Sequence, residues 1–156
     1  MLKKNPMYSG PLFIASDHAG YQLKNTIDWY IKNELHLETQ DLGSQEYDAN
    51  DDYPDYAIPL AKKVTETQGR GIVVCGSGIG VCIAANKIDG IRCGVGYSDA
   101  VAKSMMQHNN TNVLALAGGT LSENHAKLIV KTWLMHNFTD EERHVRRLGK
   151  IAELEK

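Results

Sequence analysis

A cysteine followed by closely spaced glycines is the most chemically loaded stretch of this chain: Gly71-Ile-Val-Val-Cys75-Gly-Ser-Gly-Ile-Gly80-Val-Cys-Ile-Ala-Ala. It reads as a short apolar strand, a glycine-rich turn and the start of a helix. Gly76, Gly78 and Gly80 allow the backbone to approach a ligand closely and to adopt φ values other residues resist. The following helix aims its free N–H groups and the positive end of its dipole back at the turn. That is a cradle for an anion, beside a thiol that the same amides would stabilise as thiolate. The commoner fate of a free cysteine is to be a small buried hydrophobe. Cys82 and Cys93 lack the context of Cys75 and are expected in the core.

Other residues invite a chemical and a plain reading side by side. Asp17-His18 follows an apolar run. It could bind sugar hydroxyls and an anion, or simply form a turn with a surface histidine. His108 falls in the last turn of a helical pattern, where the carbonyl end favours imidazolium and a general acid, or needs only a cap. Asn109 next to it could be just a helix stop. Arg143 and Arg147 share a helix face, with Arg146 close by. They could clamp a phosphate through fork-shaped guanidinium hydrogen bonds, or pair with Glu141, Glu142 and Glu153 in solvent. The spacing Gly-Ser-Gly-Ile-Gly is not the dinucleotide fingerprint, and no nucleoside-triphosphate P-loop is present. The six histidines are scattered, with no H-E-x-x-H, so no metal site is expected.

These residues must be positioned by an alternating scaffold. Strands are predicted at Pro11–Ser16, about Leu37–Leu42, Ile72–Cys75, Ile91–Tyr97 and Asn112–Ala117. Helices are predicted from about Tyr21 to Glu34, Pro54 to Gly69, the glycine turn to about Lys87, Asp99 to His108 and Ser122 to Trp133. A last helix would open at Thr139, with Glu142 completing a capping box. Five strand–helix repeats imply a three-layer, Rossmann-like α/β fold, a five-stranded parallel sheet with helices on both faces. Ligands bind such sheets beyond the carboxyl ends of the strands, where Asp17-His18, Gly43-Ser44, Cys75-Gly76-Ser77, Tyr97-Ser98 and Gly118-Gly119 would lie.

The bounds agree with one domain over residues 1–156: the chain is 42% apolar and 23% charged. A net charge of −2 gives no support to broad nucleic-acid or membrane binding. Three cysteines without a C-x-x-C pair suit a reduced, cytoplasmic setting. The start Met1-Leu-Lys-Lys-Asn-Pro has no apolar h-region behind it, so no targeting segment is expected.

Taken together, Asp17-His18-Ala-Gly, Asp52-Tyr53-Pro54, Cys75-Gly-Ser-Gly-Ile-Gly80, Ala84-Ala85-Asn86-Lys87, Gln107-His108-Asn109-Asn-Thr-Asn112-Val113-Leu114 and the terminal arginines resemble type B ribose-5-phosphate isomerases. The galactose-6-phosphate isomerase subunits are close relatives of that family. The similarity runs from about Leu12 to Arg147. The resemblance implies a cofactor-free aldose–ketose isomerase acting on ribose 5-phosphate and ribulose 5-phosphate through a cis-enediolate. A six-carbon substrate, galactose 6-phosphate or allose 6-phosphate, is the alternative. It implies Cys75 as the base between C2 and C1, and His108 as the acid that opens the furanose ring. Asp17, Tyr53 and Asn109 would contact sugar hydroxyls; His18, Arg143 and Arg147 would bind phosphate. The amides of Gly76, Ser77, Gly78, Ile79 and Gly80 would hold the enediolate oxygen. The resemblance also implies a homodimer, in some members a tetramer, with sites built from both chains and the helix from about residue 139 at the dimer interface.

Two departures stand out. Some family members use a glutamate base in the helix after the glycine turn, but Cys82-Ile83-Ala84-Ala85 offers no carboxylate. Many carry an arginine after the fifth strand, where this chain has Gly118-Gly119-Thr120. Outside the resemblance, an NAD-binding oxidoreductase and a non-catalytic sugar-phosphate sensor are the readings to be separated from it.

Overall fold

Alternation of apolar side chains along three central strands sets the layers. The computed structural model describes residues 7–156, so the start read for a targeting segment lies outside the described residues. The strands are β1 (Leu12–Ser16), β2 (Gln40–Asp41), β3 (Arg70–Cys75), β4 (Cys93–Val95) and β5 (Val113–Ala117). The helices are α1 (Tyr21–Asn33), α2 (Pro54–Thr67), α3 (Ile79–Ala85), α4 (Asp99–Asn109), α5 (Glu123–Met135) and α6 (Glu142–Ala152). The strands form one parallel sheet in the order β2-β1-β3-β5-β4. Successive side chains of a strand point to opposite faces. Thus Leu12, Ile14, Ile72, Val74, Leu114 and Leu116 pack beneath α1, α4 and α5. Their neighbours Phe13, Ala15, Val73, Cys75, Val113 and Ala115 pack against α2 and α3. This is the three-layer α/β arrangement that the strand–helix alternation predicts.

The edge strands are shorter than expected. Only Gln40–Asp41 of the predicted Leu37–Leu42 run, and Cys93–Val95 of the predicted Ile91–Tyr97 run, form ladders. Each has a single neighbouring strand, whereas β3 is paired along its length with both β1 and β5. The glycine-turn helix also stops early, at Ala85 rather than about Lys87.

Caps fix where the helices begin. Ser98 and Ser122 accept the backbone N–H of Val101 and His125, and Asn110 ends α4 in the left-handed conformation, φ 46°. The expected Thr139–Glu142 capping box does not form. Thr139 donates both its hydroxyl (2.9 Å) and its N–H (3.2 Å) to the Gln107 carbonyl, and Glu141 takes the cap position. The hydroxyl therefore ties the segment before α6 to the end of α4, which brings α6 beside His108.

Lys24 is buried in α1, 1% exposed, and donates to Asp41 (2.6 Å) and to the Ser44 carbonyl (2.6 Å). It anchors the start of the loop between β2 and α2 to the core. Removing one partner of a buried pair leaves the other uncompensated, so Lys24→Met is expected to lower stability by about 3 kcal/mol. Urea unfolding checks this; a loss below about 1 kcal/mol would show that Asp41 rehydrates freely.

Candidate active site

The residues read as chemical from the sequence fall into two clusters. The first sits at the carboxyl end of the sheet. Cys75 is the last residue of β3, 5% exposed, and its sulfur accepts the Gly78 N–H at 3.1 Å. Gly78 has φ +74°, which only glycine adopts easily, and a Cβ there would crowd the Leu116 backbone at 3.1–3.2 Å. Ser77 accepts the Ile79 N–H at 3.2 Å and steadies the turn. Because α3 has only seven residues, the local turn amides matter more here than a long helix dipole. A Cβ at Gly80 would meet the Tyr53 ring at 2.7–3.0 Å, so the ring lies directly over that glycine. Tyr53 remains 39% exposed.

Asp17 follows β1 and accepts the Gly20 N–H at 3.0 Å. It does form the turn of the plain reading, and burial pushes its carboxyl above the ordinary range. His18 donates its backbone N–H to Asp51 Oδ1 at 3.0 Å, and its Nδ1 lies 2.6 Å from the same oxygen. That hydrogen bond raises the imidazole pKa, with Asp17 and Asp48 adding to the effect. Burial works against the charge on Asp51, but the His18 N–H and ring hold its pKa below the usual value. Asp17, His18 and Asp51 place ligand-type atoms within 4.8 Å of one another. Nδ1 is engaged by Asp51, and Asp17 by Gly20, so hydrogen bonding accounts for their closeness.

Cys82 and Cys93 correct the expectation that both lie in the core. They are half-buried at the seam of α3 and β4 and paired with each other. The Cys93 thiol and the Asn86 amide stabilise the Cys82 thiolate, lowering its pKa to about 7, while the same pairing pushes Cys93 up. Asn86 also clamps Cys93 through its N–H (2.8 Å) and carbonyl (2.9 Å), and Asn112 similarly binds Arg92 N–H and Gly90 O. These two motif asparagines join segments of the fold.

The second cluster is at the other end. His108 lies in the last turn of α4, with Asn109 exposed next to it. The His144 ring of α6 stacks on His108 at a centroid distance of 4.5 Å and an interplanar angle of 12°. Burial, then His108 and Arg143, hold His144 below its usual pKa and so favour its neutral form. Arg143 and Arg147 are exposed on α6, and Arg143 pairs with Glu141 at 3.0 Å.

These clusters do not meet within one chain. α4 starts after β4, runs back along the sheet, and delivers His108 to the segment that enters β5. Gly71, early in β3, donates to Asn112 just before β5. Cys75 pairs with Ala117 at the far end of the same ladder. Four steps of strand separate the two levels, about 13 Å. The strand-end turns of Asp17, His18, Tyr53, Cys75 and Gly76–Gly80 converge; His108, Asn109, Arg143 and Arg147 converge elsewhere.

Asp51 and His144 went unread in the sequence. Asp51 is one acid in a polar loop, and His144 is one member of the run Arg143-His-Val-Arg-Arg147. The signal that could have found His144 is its three-residue spacing from Arg147 on the face toward α4.

Comparison with known proteins agrees with this architecture. The family model described as Ribose/Galactose Isomerase matches residues 12–151. Ribose-5-phosphate isomerase B of Mycobacterium tuberculosis is 37% identical over 146 residues, covering 93% of this chain and 90% of that protein. The crystal structure of ribose-5-phosphate isomerase B from Mycoplasma genitalium with bound ribulose-5-phosphate superposes with a TM-score of 0.89. It is 41% identical and covers 95% of this chain and 97% of that one. The Clostridium thermocellum ribose-5-phosphate isomerase B structure gives a TM-score of 0.88 at 40% identity, over 93% of this chain and 97% of that one. Matched by that family model over most of its length and by these relatives over nine-tenths of it, the chain belongs to the ribose/galactose isomerase family.

Proposed function

We propose that this chain interconverts ribose 5-phosphate and ribulose 5-phosphate by proton transfer through a cis-enediolate. The observation that carries the reading is the Cys75 sulfur, buried at the end of the central strand and held by Gly78 N–H. As thiolate, Cys75 takes the C2 proton of the open-chain aldose. The C–H electrons form the C1–C2 double bond, and negative charge gathers on O1, which the turn amides face. The thiol returns its proton to C1 as the double-bond electrons shift, and the O2 proton passes to O1, leaving a C2 ketone, a C1 hydroxyl and the thiolate. Asp17 and Tyr53 hold sugar hydroxyls from the same end of the sheet.

His108 protonates the ring oxygen to open the furanose, Asn109 binds a hydroxyl, and Arg143 and Arg147 bind phosphate with His18. A second copy of the chain supplies this group, because one chain keeps it a strand's length from Cys75. The reading is therefore a homodimer with two shared sites, in which α6 lies against the partner. Within the chain, α6 buries only His144 and leaves Val145 and Ile151 exposed, as such a role requires.

The Mycoplasma genitalium relative carries ribulose-5-phosphate, which supports the five-carbon assignment. The absence of an arginine in Gly118-Gly119-Thr120 after β5 and the family's ribose/galactose description favour testing a six-carbon aldose phosphate in parallel. Purified protein with EDTA present is expected to convert ribose 5-phosphate to ribulose 5-phosphate. Turnover of galactose 6-phosphate or allose 6-phosphate alone would transfer the mechanism to that substrate. Turnover of none would leave the sensor reading.

A further inference from the structure

Asp51 sits in the loop between β2 and α2, 33 residues from His18, with a carboxylate only 6% exposed. Its ion-pair partner among the described residues is His18. A single oxygen accepts both the His18 backbone N–H and the imidazole Nδ1–H. The first bond fixes where the residue starts and the second fixes the ring, leaving Nε2 as the nitrogen available to a ligand. Tyr47 meets the ring edge-on at 6.2 Å. The imidazole, 32% exposed, borders a cavity of about 570 Å³ whose other lining residues include Gln22, Asn25 and Thr26, none of them charged.

The charged groups facing the ring are Asp17, Asp48 and Asp51. Without a cation among them, these three acids would repel a phosphate. Within one chain, His18 is therefore the group whose charge offsets these acids, and the arginines of a second copy would meet the phosphate from the other side. We infer that Asp51 is the positioning residue that fixes His18 and keeps it an imidazolium for the substrate phosphate. The inference rests on the sugar-phosphate reading above. It differs from a purely structural role in making the effect of Asp51 depend on pH.

Asp51→Asn tests this cleanly, because the amide oxygen can still accept both hydrogen bonds while the charge is gone. Below both midpoints His18 is protonated in either protein, and the variant has one acid fewer, so its KM is expected at or below that of the native chain. As pH rises, His18 of the variant loses its proton before the native ring does, because the Asp51 hydrogen bond that raises the native pKa is no longer charge-assisted. The variant-to-native KM ratio is then expected to reach about tenfold in the pH window between the two midpoints, the difference between a charge-assisted and a neutral hydrogen bond, with the smaller effect on kcat. Taking the ratio cancels the titration of the phosphate itself. A ratio independent of pH overturns the inference.

The second arm follows the His18 imidazole by NMR in both proteins, with inorganic phosphate as the probe. A lower midpoint in Asp51→Asn, together with weaker phosphate binding above that midpoint, is expected. An equal midpoint overturns the inference. If the native chain turns over no sugar phosphate, the isomerase reading fails by itself, and this arm still decides the pairing.

Discussion

Turnover of ribose 5-phosphate is expected to fall by about a thousandfold in Cys75→Ala, the range a positioned general base contributes, with substrate binding retained. Cys75 ends a strand whose residues are all buried, and its backbone carbonyl accepts the Gly118 N–H at 2.8 Å. Removing the sulfur leaves that ladder intact. The variant vacates little more than one atom, so the expected loss of stability is about 1 kcal/mol. An isomerase assay beside calorimetric titration and thermal unfolding separates these effects. A folded variant with near-native turnover would remove Cys75 as the base. A variant that loses binding as well would place the sulfur in the ground-state contacts.

Mixing two inactive variants is expected to restore activity. Cys75→Ala keeps His108, and His108→Asn keeps Cys75. In the proposed dimer with shared sites, subunit exchange gives a mixed dimer with one site holding both native residues and one holding neither. Random pairing makes about half of the dimers mixed, so about a quarter of the native sites return. The measurement is activity against time after combining the two proteins, with each alone as control. No recovery despite demonstrated exchange would mean that Cys75 and His108 act from the same chain, against the separation set by β5. The same experiment with Cys75→Ala and Arg143→Ala extends the test to the phosphate grip.

The layers were legible because alternation of residues such as Leu12, Phe13, Ile14 and Ala15 follows directly from strand geometry. Strand extent was less so: the Ile91–Tyr97 run has strand composition, but only three of its residues have a partner to pair with. The cysteine, its glycine turn and Asp17-His18 were legible as chemistry, since close residues on one turn carry their geometry with them. Asp51 was not. Its role depends on a contact across 33 residues, and a polar loop has no periodicity from which to infer one. Thr139 misled for a related reason: its hydroxyl had two possible partners, and the tertiary one, Gln107, won over the local cap. The two clusters at opposite ends of the sheet follow from helix direction, which only the assembled topology makes concrete.

The proposed base, Cys75, lies at the end of the most fully paired strand, whereas Arg143 and Arg147 lie on a helix with one buried residue. On this reading proton transfer is tied to backbone paired on both sides, and the phosphate grip to an exposed helix face. Lengthening a sugar by one carbon leaves C1 and C2 in place and moves only the phosphate. A lineage could therefore change substrate length by drifting along α6 and residue 120, without reopening the core that sets the thiol.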